Sequence, residues 1–137
     1  MVLVIAGILA AVVAPRLLDS SAFQSRGFAD QLQAALRYAQ KEAIAQRRFV
    51  CVALAVNSIT LTTGTTAACS AGALAFPAGG NSIPAPSGVT LSSLPAATPV
   101  SFNFDTLGRT AVTQTITVSG ATNNIVVEAE TGYVHSP

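Results

Sequence analysis

The first fourteen positions, Met1 to Ala14 (MVLVIAGILAAVVA), carry no charge, and the run closes at Pro15 and Arg16. As a helix it spans about 21 Å at about 1.5 Å per residue, short of the roughly 30 Å hydrocarbon core that about 20 apolar residues cross. A membrane crossing therefore calls for further residues upstream. A secretory signal peptide is the other source of such a run, but it needs a basic stretch in front and a small-residue cleavage site behind. Here Met1 leads straight into the apolar positions and Ala14 is followed by Pro15.

From Phe23 the pattern changes. Phe28, Leu32, Ala35, Leu36, Ala39, Ala43 and Ile44 recur every three or four residues, with Asp30, Gln33, Arg37, Gln40, Lys41 and Arg47 between them, which predicts an amphipathic helix ending near Arg48. Its alanines favour helix, and Arg47 and Arg48 complement the negative end of the helix dipole. Pro15 removes a backbone donor and Gly27 is a weak helix former, so a bend is expected at one of them.

After Arg48 the chain turns to β-branched and aromatic residues. Strands are predicted at Phe49–Val56 and Ile59–Thr63, joined hairpin-fashion by Asn57 and Ser58, then at Val89–Leu94, Val100–Phe104, Gln114–Ser119 and Ile125–Ala129. Apolar and polar residues alternate in Val100-Ser101-Phe102-Asn103-Phe104 and in Thr115-Ile116-Thr117-Val118, so one face of an antiparallel meander is expected to be buried. Between them Gly64 to Gly88 holds Pro77, Gly79, Gly80, Pro84 and Pro86, the composition of a long ordered loop with room for one strand. A surface loop of this kind suits contact with neighbours or the outside.

A helix followed by a run of strands is an α+β arrangement: a long N-terminal helix whose amphipathic half covers an antiparallel β-sheet or sandwich head. The expected division is a stem helix over 1–48, with 1–14 as a membrane or filament-core segment, and a β-rich head over 49–137. The apolar run is left projecting, and an apolar helix of this size ends in lipid or among copies of itself.

Composition fits one domain: 137 residues, 50% hydrophobic and only 9% charged. The net charge of +1 names neither nucleic acid nor an acidic substrate as partner. Six of the seven basic residues precede position 49 against Asp19, Asp30 and Glu42, leaving +3, while Arg109 faces Asp105, Glu128 and Glu130, leaving −2. Opposite-signed halves can steer one subunit's stem toward another's head, although two solvated faces would look the same.

The residues VLVIAGILAAVVAPRLLDS resemble the hydrophobic stem of type IV pilins and type II secretion pseudopilins, an apolar run with an internal Gly7 and with Pro15 just before the first charges. LQAALRYAQKEAIAQRRFVCV (Leu32 to Val52) and EAETGYVH (Glu128 to His135) are similar to the helix end, first strand and tail of minor subunits of the GspH/FimT and MSHA-pilin-like type. The resemblance implies a bent stem helix, a β-rich head, insertion in the inner membrane before assembly, and a periplasmic or extracellular filament afterwards. It also implies a structural subunit, not an enzyme, with other pilin or pseudopilin subunits as partners and no cofactor. Val4, Ile5, Gly7, Ile8, Leu9, Val12, Val13 and Pro15 are then the filament or membrane segment. In that family a prepilin leader and a short, methylated mature start with a glutamate precede this stretch. About seven such residues would bring the run to about 21, long enough to span; no residue here takes the glutamate's role.

Cys51 and Cys69 are the only cysteines, and an even count in an exported protein favours a disulfide between the first strand and the loop after the second. The alternative is a buried apolar Cys51 and a free Cys69. Two cysteines and the distant His135 fall short of a structural zinc site, and no Ser or Cys sits in a catalytic motif beside His135, which reads as a solvated tail residue. Glu128 and Glu130 share a strand face at a chain end, an exposed face more than an acid/base pair.

DNA binding is the competing function. Some FimT-like subunits of DNA-uptake pili bind DNA through tail arginines after a Gly, and the matching tail here, Gly132-Tyr133-Val134-His135, has none. Without cations a tail cannot neutralise phosphates. Arg47, Arg48 and Arg109 would compensate only if they cluster, and Tyr133, Phe102 and Phe104 are better placed for a core than for stacking on bases.

Overall fold

The computed structural model describes residues 1–18 and 20–137, with the side chains of residue 10 and of residues 12–20 left aside. Two helical segments come first, α1 (Val2–Leu18) and α2 (Ser20–Gln46). The helix runs past Pro15 to Leu18, and Gly27 lies inside α2, so neither ends a helix where the sequence offered a weak point.

α2 stops at Gln46, two residues before the expected end. Arg47 takes a left-handed φ of 52°, its N–H bonds to the Ile44 carbonyl at 3.3 Å, and the Arg48 N–H reaches back to Ala43 at 3.2 Å. This pair of bonds is a Schellman ending, which satisfies carbonyls the helix leaves orphaned. The two arginines thus complement the dipole from just outside the helix.

The strands follow as β1 (Phe49–Ala55), β2 (Ser58–Gly64), β3 (Gly72–Ala73), β4 (Ser82–Pro84), β5 (Leu91–Leu94), β6 (Val100–Phe104), β7 (Gln114–Val118), β8 (Ile125–Val127) and β9 (Val134–His135). β1 and β2 form the predicted hairpin one residue out of step: Ala55 faces Ser58, so Val56 and Asn57 make the turn. The Gly64–Gly88 segment supplies two short strands, not one, and both pair with β2.

The strands do not form one meander. They divide into a sheet ordered β3-β2-β1-β6, with β4 also on β2, and a second sheet ordered β5-β7-β8-β9. β5 and β6, neighbours in sequence, lie in different sheets. Pro95 and Pro99 stand between them, and proline lacks the donor that would continue a ladder.

One apolar core joins the layers. Phe28, Leu32, Ala35, Leu36, Ala39 and Ala43 of α2 meet Val50, Val52 and Leu54 of β1, Ile59 and Leu61 of β2, Phe104 of β6, Ile116 and Val118 of β7, and Ile125 and Val127 of β8. Each fully buried aliphatic contributes roughly 1.5 to 3 kcal/mol relative to exposure. The stripe ends one residue sooner than its spacing suggests, because Ile44 is half exposed near Gly108.

Candidate assembly surface

The α1 helix exposes the side chains that the sequence singles out. Val4, Ile5, Ile8 and Leu9 are 58% to 65% exposed, and a side chain added at Gly7 would meet nothing within 4 Å. The side chains of Val12, Val13 and Pro15 fall outside the described residues. Seventeen residues of α-helix extend about 26 Å at about 1.5 Å per residue, and no helix among the described residues is long and apolar enough to cross a membrane.

The head, by contrast, closes on itself. Cys51 in β1 is bonded to Cys69 in the loop after β2, with Cα atoms 6.0 Å apart. Gly64 makes the approach possible, since a Cβ there would stand 2.6 Å from the Cys69 Cα. Asn103 of β6 also reaches this loop, donating to the Ala67 carbonyl at 3.5 Å.

The C-terminal segment is fastened to α2 by residues that periodicity assigned merely to the polar side of the helix. The Arg37 guanidinium donates twice to the Val134 carbonyl, at 3.2 and 3.1 Å. The Gln40 amide donates to the carbonyls of Gly108 and Thr131, at 3.1 and 2.9 Å, tying two loops to one side chain. Gly132, with φ +64°, passes so close that a Cβ would run into the Gly108 carbonyl oxygen. Val134 is buried, which makes β9 a structural strand. Only its isolated apolar side chain after a Gly turn signalled this.

Polar chemistry in the head is local. His135 is not a free tail residue: its Nε2 lies 2.9 Å from Glu128, and its ring stacks on Tyr133 at 5.0 Å between centroids. The Asp105 carboxylate accepts the N–H groups of Leu107 and Arg109 and pairs with the Arg109 guanidinium at 3.2 Å. Burial alone would raise its pKa; the two backbone N–H groups and Arg109 outweigh that and hold it below the usual value. Burial, and then the nearby Glu42 carboxylate, raise the Tyr38 hydroxyl, which donates to the Ala75 carbonyl at 2.8 Å. Among the described residues no three His, Cys, Asp or Glu side chains gather as metal ligands. An open groove of about 310 Å³ lies between α2 and the β7–β8 turn, bordered by Arg26, Asp30, Gln33 and Asn123.

The family model for the type II transport protein GspH covers residues 29–132, most of the chain. The chain belongs to the GspH family. The match starts within α2, so this GspH-family assignment rests on the greater part of α2 and the head and leaves α1 outside it. Comparison with curated protein sequences gives no match. Among solved structures, the fold is similar to the minor pseudopilin EpsH from the type 2 secretion system of Vibrio cholerae. The TM-score is 0.63 at 14% identity, over 82% of this chain and 94% of that one. It is also similar to the type IV minor pilin FimU of Pseudomonas aeruginosa, with a TM-score of 0.58 at 17% identity, over 91% of this chain and 92% of that one.

Proposed function

We propose that the protein is a structural subunit of a type II secretion pseudopilus or type IV pilus, held in its filament by packing of the α1 helices, and that it works without catalysis or cofactor. The observation that carries this reading is the exposed apolar surface of Val4, Ile5, Ile8 and Leu9 on a helix joined to a GspH-family head. Each such side chain withdrawn from water contributes roughly 1.5 to 3 kcal/mol, so summed contacts along a stem suffice to hold a subunit. The similar structures, a minor pseudopilin and a minor pilin, support the same class of assembly. The partners are other pilin or pseudopilin subunits, with the inner membrane as the site of α1 before assembly.

DNA binding draws no support from the tail. His135 faces Glu128, and Arg109 is occupied by Asp105.

The test is an immunoblot of sheared surface filaments against the membrane fraction, with the protein expressed from its own locus. Protein abundant in the shear, or confined to the membrane with filaments or secretion lost on deletion, is the expected result, the first marking a major subunit and the second a minor one. Deletion with no filament or secretion phenotype overturns the reading.

A further inference from the structure

A strand at the end of a sheet offers a row of unpaired N–H and C=O groups to any other strand, and proteins close such edges with bulges, prolines, charges or a covering segment. Most edges here are closed. The outer side of β2 is taken by β3 and β4, which are only two and three residues long, by Leu74 and Asn81 on Leu61, and by Ala71 on Thr63. On β5 the Leu91 N–H bonds to the Val56 carbonyl at 2.7 Å and the Leu91 carbonyl accepts the Thr98 hydroxyl at 3.0 Å, which leaves Ser93 before the strand ends at Leu94 and Pro95. On β9 the outward Val134 carbonyl holds Arg37.

β6 differs. It pairs with β1 alone, in unbroken register from Val100 opposite Leu54 to Phe104 opposite Val50. The two-residue turn of the β1–β2 hairpin makes Ala55 and Ser58 a bonded pair, so Val50, Val52 and Leu54 turn their backbone groups to β6. Val100, Phe102 and Phe104 answer them, and Ser101, Asn103 and Asp105 point theirs away. Asp105 is served by its own turn: its N–H donates to the Arg109 carbonyl and its carbonyl accepts the Gly108 N–H, each at 2.9 Å. The backbone groups of Ser101 and Asn103 on that side have no bond among the described residues. Val100–Phe104 also lacks charge, proline and bulge.

Beside Asn103 lies an open hollow of about 290 Å³, bordered by Asp105, Arg109, Thr110, Ala129 and Glu130. Arg109 is paired with Asp105, whereas Glu130 is exposed and joins no ion pair among the described residues. The hollow therefore keeps one uncompensated negative charge. A strand laid along β6 meets neutral backbone groups and then this carboxylate.

We infer that the free edge of β6 receives an extended segment of a different protein chain, which adds a strand along Ser101 and Asn103 and sets a lysine or arginine against Glu130. A second copy does not supply it. Its other edges are closed or too short, and β6 against β6 needs a two-fold relation that subunits sharing one filament orientation lack. Only that exclusion rests on the filament reading above; the open edge and the carboxylate stand without it.

The test uses the full chain in detergent and two peptides of about six residues, enough to span β6. One is an uncharged threonine-valine strand ending in lysine, the other the same strand ending in glutamate. The lysine peptide is expected to bind about tenfold more tightly and to slow hydrogen exchange at the Ser101 and Asn103 amides. Glu130→Lys is expected to reverse the order of the two peptides. Ser101→Pro removes an outward N–H and leaves the ladder to β1 whole, so it is expected to weaken the lysine peptide by about tenfold, while Ser101→Ala binds as the unaltered chain does. Melting temperatures check the fold, and should Ser101→Pro lower its own, Glu130→Lys carries the test. No binding of either peptide, equal binding of both, an order unchanged in Glu130→Lys, or protection confined to residues away from β6 overturns the inference. None of these outcomes touches the filament reading, which the fractionation of unaltered protein tests.

Discussion

Ile5, Ile8 and Leu9 of α1 are as apolar as Leu32 and Leu36 of α2, yet the first three are more than half exposed and the last two are fully buried. The difference lies in what each helix has beside it. α2 carries its apolar residues in a stripe, and two sheets of the same chain fill that side. α1 carries no such stripe, and the head leaves Val4, Ile5, Ile8 and Leu9 exposed. A helix whose burial is completed within the chain stabilises the fold. On the filament reading proposed above, a helix whose burial needs other molecules stores a drive to assemble.

Substitutions can break this contrast. Leu36→Asp places a charge in the sealed core and is expected to cost about 4 kcal/mol or more, enough to unfold the head in thermal or urea melts. Ile8→Asp should leave the melting temperature of the head unchanged and remove the protein from sheared filaments. Equal damage to the head from both substitutions would contradict the division of labour.

Smaller effects sharpen it. Replacing Cys51 and Cys69 together by serine opens a crosslink with a sequence separation of 18 and should lower head stability by about 3 kcal/mol, read as a shifted urea midpoint. Gly132→Ala should cost about 2 kcal/mol, because the new Cβ forces the C-terminal segment away from Gly108 and loosens the Gln40 clamp. Faster hydrogen exchange at β9 would locate the change.

The smallest effect concerns Asp105. Its pKa is lowered in the folded state, so its contribution is complete above the unfolded value of 3.8 and disappears as pH falls through the folded value. Asp105→Asn keeps an acceptor for Leu107 and Arg109 but loses the ion pair, which is half exposed on the Arg109 side. The difference from the unaltered chain should be under about 1 kcal/mol at neutral pH and should vanish in acid. A difference that grew in acid would reverse the assigned sign.

Much of this molecule is legible in its residues. The apolar run, the stripe on α2 and the alternation in β6 and β7 come from periodicities of a helix and a strand, which depend only on local geometry. β6 falls on the predicted residues, and the other long strands differ from prediction by one or two at their ends. The Cys51–Cys69 bond also follows from cysteine count and an exported setting.

The rest depends on neighbours distant in the chain. Whether β5 joins β6 or β7 is a choice among edges with similar patterns, and alternation is the same in either sheet. Arg37 and Gln40 look like solvated helix residues until loops near positions 108 and 131 bring carbonyls to them. β9 is too short to carry a period, and His135 acquires Glu128 only because β8 and β9 pair. The sequence by itself determined which segments would be helix, strand and apolar stem, because each is written in side-chain spacing. Only the tertiary structure decided how the strands divide into two sheets and which side chains fasten the tail, because those bonds join residues far apart in the chain.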